Sequence, residues 1–529
     1  MESLHRPNSI LHIGPYSWPH SQAEGYNRNI HTLKHSHMKY TINEILALDD
    51  IPEKIRLLKK GRKTENPDRM ALWKDWNPKL HEIMTDKEKY PDRKILKEEA
   101  KTVYDEKSGR SVTEEAKYDT EEVNRIVVPL EQDIINAQTA FTVGIEPSLE
   151  CVPSGNGESK LFEAVKMTLK ANKTKYRNKK IVRSWLAEQE VAEYWYAVQD
   201  ESFWAKLWSK AKEAFGGRAK PSQRLKSVIW SPFRGDILYP FFNDEGDMVA
   251  FSREYKKTLL DGTEITSFMT ITDSMVYRWE TASEGYVEKQ PFSHGFKKIP
   301  VLYAYRSEPF CAKIKTFRVR IEKLLSNYAD CIDYHFFPLL KLIGDVDGFM
   351  GKVKDKIVKL TGEGADAQYL TWNQVPATVE FELNTLFDKA YSMTNTPQIS
   401  FDKLQGTGNA LSGVAFDYVF MSTHMEVSNH AEELGEFFQR RINFLVSACA
   451  SINPTELDKA SLTIDIETDI VPYRLDNIED KVNIADKAVN GGIWSRRKGV
   501  IFAGNADRVE EELDEIGNDP IKESGKNKE

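Results

Sequence analysis

Residues 310–449 constrain the fold more than any other stretch, because they hold helical patterns too long for a small compact domain. The first helix is predicted over 310–337 and is stopped by Pro338. Ile314, Phe317, Ile321, Leu324, Leu325, Tyr328, Ile332 and Phe336 make its apolar face, and Lys313, Lys315, Arg318, Arg320 and Lys323 crowd its first half. At ~1.5 Å per residue it spans roughly 40 Å. A connector follows at 339–379, then a shorter helix at 381–394 and a loop at 395–412. A long helix is predicted over 413–449, where Val414, Phe416, Val419, Phe420, Val427, Ala431, Leu434, Phe438, Ile442, Leu445 and Val446 recur at three- and four-residue steps. A single apolar stripe on such helices needs a partner, from this chain or from a second copy.

The loop sets Gly406, Gly408 and Gly413 near its end, with Asn409 between them. Those residues reach backbone angles that others avoid. Pro397 keeps the preceding helix from running on, and Ser412 is placed to cap the next. A polar loop of this length is either functional or disordered. Gly406 and Gly408 do not make a nucleotide site: no strong strand precedes them, the third glycine is misplaced, and no Gly-Lys-Ser/Thr occurs.

The order of parts is Ile299–Pro300, a strand at 301–305, a long helix, a small module, a helix, a Gly-rich loop ending in Ser412-Gly413-Val414-Ala415, and a very long helix. It resembles the portal proteins of tailed bacteriophages, over about residues 124–513. The resemblance implies an α+β, mainly helical fold with wing, stem, clip and crown regions, assembled as a ring of twelve copies through which double-stranded DNA enters and leaves the capsid. It divides the chain into an N-terminal arm and helical extension (1–118), wing (119–309), stem helix (310–338), clip (339–379), second stem helix (380–394), tunnel loop (395–412), long wing helix and strand (413–472), crown (473–516) and disordered tail (517–529). Asp402, Lys403, Gln405, Thr407 and Asn409 would then be the loop's polar contacts to DNA, touching phosphates rather than base edges. Lys352, Lys354, Lys356 and Lys359 would form a basic clip face toward DNA or an acidic partner. The implied partners are the terminase large subunit, a head-completion or tail adaptor protein, and the major capsid and scaffolding proteins. The implied location is one capsid vertex of the virion, reached from the host cytoplasm during assembly.

Outside that stretch the signals are weaker. Residues 1–40 lack periodicity and read as an irregular arm; His31, His35 and His37 read as solvated or interface side chains rather than metal ligands. Residues 41–60 form an amphipathic helix interrupted at Pro52, with Thr41 and Glu44 at capping-box spacing. The charged run 61–118 reads as solvated surface, with a short helix seated by Trp73 and Trp76. A strand is expected at 124–128, a helix from Pro129 to Phe141, a short strand pair at 141–152, and helices at 160–171 and 179–198. Residues 201–224 look like an insertion. Period-two alternation from 227 to 305 predicts an antiparallel meander. Strict alternation at 461–471 predicts a strand with Asp465, Glu467 and Asp469 on its wet face, and short helices follow at 478–489, 496–501 and 506–516.

No catalytic constellation is present: no Walker motif, Gly-x-Ser-x-Gly, His-Glu-x-x-His or paired Cys-His set. Neither cofactor nor metal is predicted. The four cysteines are scattered, which fits a reducing compartment. The start of the sequence lacks the apolar core of a secretory peptide, and no apolar run is long enough to span a membrane. A net charge of −8 argues against a tight DNA binder. It is compatible with a conduit, since each neutralised phosphate adds affinity that would impede sliding. Two other readings are a head–tail or capsid structural protein without a DNA channel, and a nucleic-acid-processing enzyme with unrecognised motifs.

Overall fold

The computed structural model describes residues 40–105, 110–114, 116–199, 223–282, 285–335, 339–350, 357–370, 376–398, 420–452, 457–473, 478–504 and 509–518. The fold mixes helices with antiparallel sheets. Instead of one interrupted helix, the chain opens with two, α1 (Ile42–Leu46) and α2 (Ile51–Lys60). The predicted capping box is formed: Glu44 accepts from the Thr41 amide and Thr41 Oγ1 from the Glu44 amide. Pro52 falls in the first turn of α2, where its missing N–H costs nothing. Next come α3 (Arg69–Trp76), α4 (Glu82–Thr85) and a two-stranded ribbon of β1 (Arg93–Glu98), β2 (Lys101–Asp105), β3 (Arg110–Glu114) and β4 (Lys117–Glu121).

Residues 124–128 are extended but belong to no sheet. The amides of Asn124, Ile126 and Val128 instead donate to Asp330 Oδ1 (2.9 Å), Ser326 Oγ (2.8 Å) and Glu322 Oε1 (3.1 Å). These acceptors lie along α8 (Lys315–His335). Two extended residues cover roughly 6.6 Å and four helical residues about 6 Å, so the spacings match.

Helices α5 (Leu130–Val143), α6 (Asn156–Ala171) and α7 (Thr174–Glu188) follow. The predicted helix 179–198 is half helix and half strand. Gln189 takes a left-handed φ of 67° that ends α7, and Glu190–Gln199 is β5. Valine and aromatic side chains fit a pleated surface there, and β5 gains ladders on both sides in the order β12-β5-β6, with β6 at Gln223–Trp230 and β12 at Val301–Tyr305. The alternating region splits at the 3-10 turn Pro232–Arg234. Strands β7 (Ile237–Phe242), β8 (Met248–Thr258), β9 (Glu264–Ile271), β10 (Met275–Ala282) and β11 (Gly285–Ser293) form the expected meander, and β6 joins the other sheet.

The connector 339–370 is a hairpin of β13 (Leu339–Met350) and β14 (Ile357–Leu370), roughly 40 Å long at ~3.3 Å per residue. Helix α9 (Pro376–Met393) begins five residues earlier than the pattern indicated, with proline opening its first turn. Helix α10 spans Met421–Ile452. The segment 461–471 is not a strand. It shows the predicted alternation of burial but pairs only at Glu150–Glu467 and by single bonds between main chains, while Gln439 of α10 bonds the Ile466 carbonyl and the Thr468 amide. The pair expected at 141–152 is reduced to that same bridge. The chain continues through α11 (Ile478–Asn490), α12 (Arg496–Ala503) and α13 (Val509–Asn518).

The main core joins α5, α6, α7, β5 and α10 around Ile134, Leu161, Trp185, Trp195, Leu434 and Leu445. A second core lies between the two sheets at Trp230, Phe251, Met269 and Val301, and a third seats α1 and α2 on the meander through Leu58, Phe268 and Trp279. Two buried ion clusters brace the main core. Arg441 of α10 donates to Glu193 (2.7 Å) and Asn178 (2.7 Å). Arg318 of α8 contacts Glu131, Asp75 (2.9 Å) and Glu322 (3.3 Å), and Glu322 also contacts His81.

Candidate functional site

Helices α9 and α10 flank residues 399–419, and the described ends of that segment are tied together. The end of α9 follows from its sequence. Asn395 adopts a left-handed φ of 48°, which asparagine tolerates better than most residues. The Asn395 amide then donates to the Ser392 carbonyl (3.1 Å) and the Thr396 amide to the Tyr391 carbonyl (3.0 Å), a Schellman cap, with Pro397 just beyond. The helix is therefore stopped before the proline is reached.

Gln138 of α5, fully buried, grips this cap. Its Nε2 donates to the Thr394 carbonyl (3.0 Å) and Thr396 Oγ1 (2.9 Å) and lies 3.3 Å from the Asn395 carbonyl. From α10, Thr423 Oγ1 donates to the same Asn395 carbonyl (2.8 Å), and Asn395 Nδ2 donates to Glu426 (2.9 Å). Phe420 packs on Phe141 of α5 with ring centres 5.2 Å apart. One cap is thus held by α5 from one side and by the start of α10 from the other.

One turn further along α10 sits His430, 1% exposed, with its ring edge-on to Trp185 and Phe310 at 5.4 Å. Thr142 Oγ1 lies 3.2 Å from its Nδ1. Burial, with Arg306 and Lys313 nearby, brings its pKa down to about 3, so the ring is neutral. Arg306 lies over Trp185 at 4.3 Å; burial pulls its own pKa down against the favourable fields of Glu433 and Glu426. Burial also pushes the Cys311 and Cys449 thiols up, which makes them poor nucleophiles. Among the described residues no group of three or more His, Cys, Asp or Glu could hold a metal ion, and no helix is long and apolar enough to cross a membrane.

Asp402, Lys403, Gln405, Thr407 and Asn409 lie outside the described residues, as do Ser412 and Lys352, Lys354 and Lys356. Lys359 lies on β14, between Val358, paired with Phe349, and Leu360, paired with Val346. Sequence reasoning missed Gln138, Thr423 and Glu426. A signal existed for the first: Gln138 and Thr142 interrupt the stripe of Leu130, Ile134 and Phe141, and a polar side chain on an apolar stripe must find a buried partner. Gln138→Leu keeps the volume and removes the hydrogen bonds that α5 donates to the cap, leaving the one from Thr423. It is expected to cost about 1–3 kcal/mol, seen as a lower urea midpoint and as faster amide exchange at Asn395 and Thr396. Unchanged exchange there would sink the clamp reading.

No curated protein matches the chain. Among solved structures it is similar to a chain in the virion of a native gene transfer agent particle and to one in the neck of an empty such particle computed with C6 symmetry. Each is 10% identical, with 71% of this chain and 88% of the other covered and a TM-score of 0.35. Likeness that low carries no argument. The sequence itself matches the family described as Phage portal protein, SPP1 Gp6-like, over residues 58–525, most of its length. By that match the chain belongs to the phage portal protein family.

Proposed function

We propose that this chain is the subunit of a homo-oligomeric ring, twelvefold in the virion, through which double-stranded DNA is packaged and ejected. Its family is structural, and the chain is not an enzyme; the chemistry of packaging belongs to a separate ATPase. In this reading α8 and α9 are stem helices, the β13–β14 hairpin is the clip that meets the terminase large subunit and later a tail adaptor, and 395–412 is the loop facing DNA. The observation that carries it is the doubly fastened cap at Asn395. A polar segment set between two long helices, with its root fixed to the main core, can touch moving DNA without loosening the fold. The acidic total charge fits weak contact rather than capture.

Negative-stain microscopy with mass measurement is expected to show closed rings of about a dozen copies around a central hole. Particles without a closed ring would favour a head–tail or capsid protein with no channel. Deleting residues 400–410 separates assembly from function: rings should persist while packaged DNA falls to background, and an intact packaging yield would remove the loop from the mechanism.

A further inference from the structure

The ribbon at 93–121 is at odds with its surroundings. Every residue of β1 and β4 is exposed. Ile95 is 44%, Leu96 47% and Tyr118 61% exposed. Leu96 pairs with Tyr118 on one face, and Ile95 lies on the other. A two-stranded ribbon is marginal in water by itself, and among the described residues no strand pairs with either of its edges. Its root is nevertheless fixed. Arg125 pairs with Asp92, Arg93 lies 3.8 Å from Asp330, and Asn124 donates to Asp330 and Asp333, both on α8.

The two edges differ in charge. Strand β1 brings Arg93, Lys94 and Lys97 against the single acid Glu98, while β4 brings Asp119 and Glu121, followed by Glu122, against the single base Lys117. Within one ribbon these charges already pair across the strands, Arg93 with Glu121 (3.6 Å), Lys97 with Asp119 and Lys117 with Glu98, but every one of these side chains is exposed. Two identical edges would set like charges together. A β1 edge laid against a β4 edge sets opposite charges together, and repeating that head-to-tail contact is what closes a ring.

We infer that the β1 edge of one copy adds to the β4 edge of the next, so that the ribbons form a sheet between subunits beside α8. The inference rests on the homo-oligomeric ring proposed above. Two strands per copy at ~4.8 Å spacing would carry a dozen copies around a ring on the order of 40 Å across, wide enough to surround a duplex.

The test uses full-length chains with the exposed Cys331 changed to serine. One preparation carries Lys94→Cys or Leu96→Cys and the other Tyr118→Cys or Thr120→Cys, so the four pairings cover neighbouring registers. The preparations are mixed, assembled and oxidised, and ring formation is followed in the same samples. A disulfide-linked dimer is expected in at least one mixture and in no single preparation. Rings without that dimer would overturn the inference and leave the ring standing. A dimer within a single preparation would overturn the head-to-tail direction. Monomers with no dimer would overturn the inference and the ring together. A second pair of variants avoids cysteine. Lys94→Glu with Lys97→Glu, or Asp119→Lys with Glu121→Lys, should each weaken assembly at least about tenfold alone, and an equal mixture of the two should recover it. No recovery on mixing would overturn the inference.

Discussion

Replacing Arg318 with methionine is expected to cost about 3–5 kcal/mol of folding stability, the range for removing one partner of a buried ion pair. Arg318 is 1% exposed and touches three carboxylates: Glu131, Asp75 and Glu322. Methionine fills much of the space and leaves Glu131 and Glu322 buried without their counter-charge. Burial already pushes the Glu131 carboxyl up, against the pull of Arg318. Without that pull the Glu131 carboxyl should be pushed further up by its burial. The double variant Arg318→Met with Glu131→Gln is therefore expected to be more stable than Arg318→Met alone. Urea unfolding of the three proteins measures both effects. A loss below about 1 kcal/mol for the single variant would show that the cluster is dispensable. Because Arg318 joins α3, α5 and α8, the loss should also free the start of α8 and lower ring yield.

Acid should weaken the core through His430. The ring titrates at about 3 in the native protein against an ordinary value of 6.5. Between those values the unfolded chain holds more protons on this ring than the native chain does, so stability falls as pH falls. The loss should reach about 2 kcal/mol on going from pH 7 to pH 5. The buried carboxyls of Glu131, Glu188 and Glu190, held above their ordinary range by burial, act in the opposite sense. The measurable quantity is therefore the difference between the native protein and His430→Gln, which keeps a partner for Thr142 and cannot titrate. The native protein should lose more stability across that interval than the variant. Parallel losses would mean that His430 is not held neutral.

Long local patterns were legible in the sequence, and contacts between distant elements were less so. The stripes of α8 and α10 and the meander could be read because one face of each element meets one core. The span 179–198 misled because Val191 and Trp195, four residues apart, share one face of a helix as well as one face of a strand. What decides is Gln189, whose left-handed backbone breaks the helix at a residue that gives no warning. Strands β1 and β4 have no buried side to impose alternation, so they read as charged surface. Arg318 was visible as one of five clustered bases. Its distinction is position: it falls on the stripe of Ile314, Ile321 and Leu325, where a charge must be answered from elsewhere in the chain. For the loop and clip side chains, sequence offers composition but no periodicity, and composition alone does not say which group meets a ligand.

The segment 124–128 acts as a ruler laid along α8. Its bonds recur every second residue on one side and every fourth on the other. Losing or gaining one residue in 124–128 would turn alternate amides away from the helix and break the series together. A full helical repeat inserted in α8 would displace it by one step and leave the rest in phase. Length changes at this junction should therefore be tolerated only in matched increments, two residues in the strap for four in the helix. That gives the spacing between α5 and the ribbon root a discrete set of permitted values.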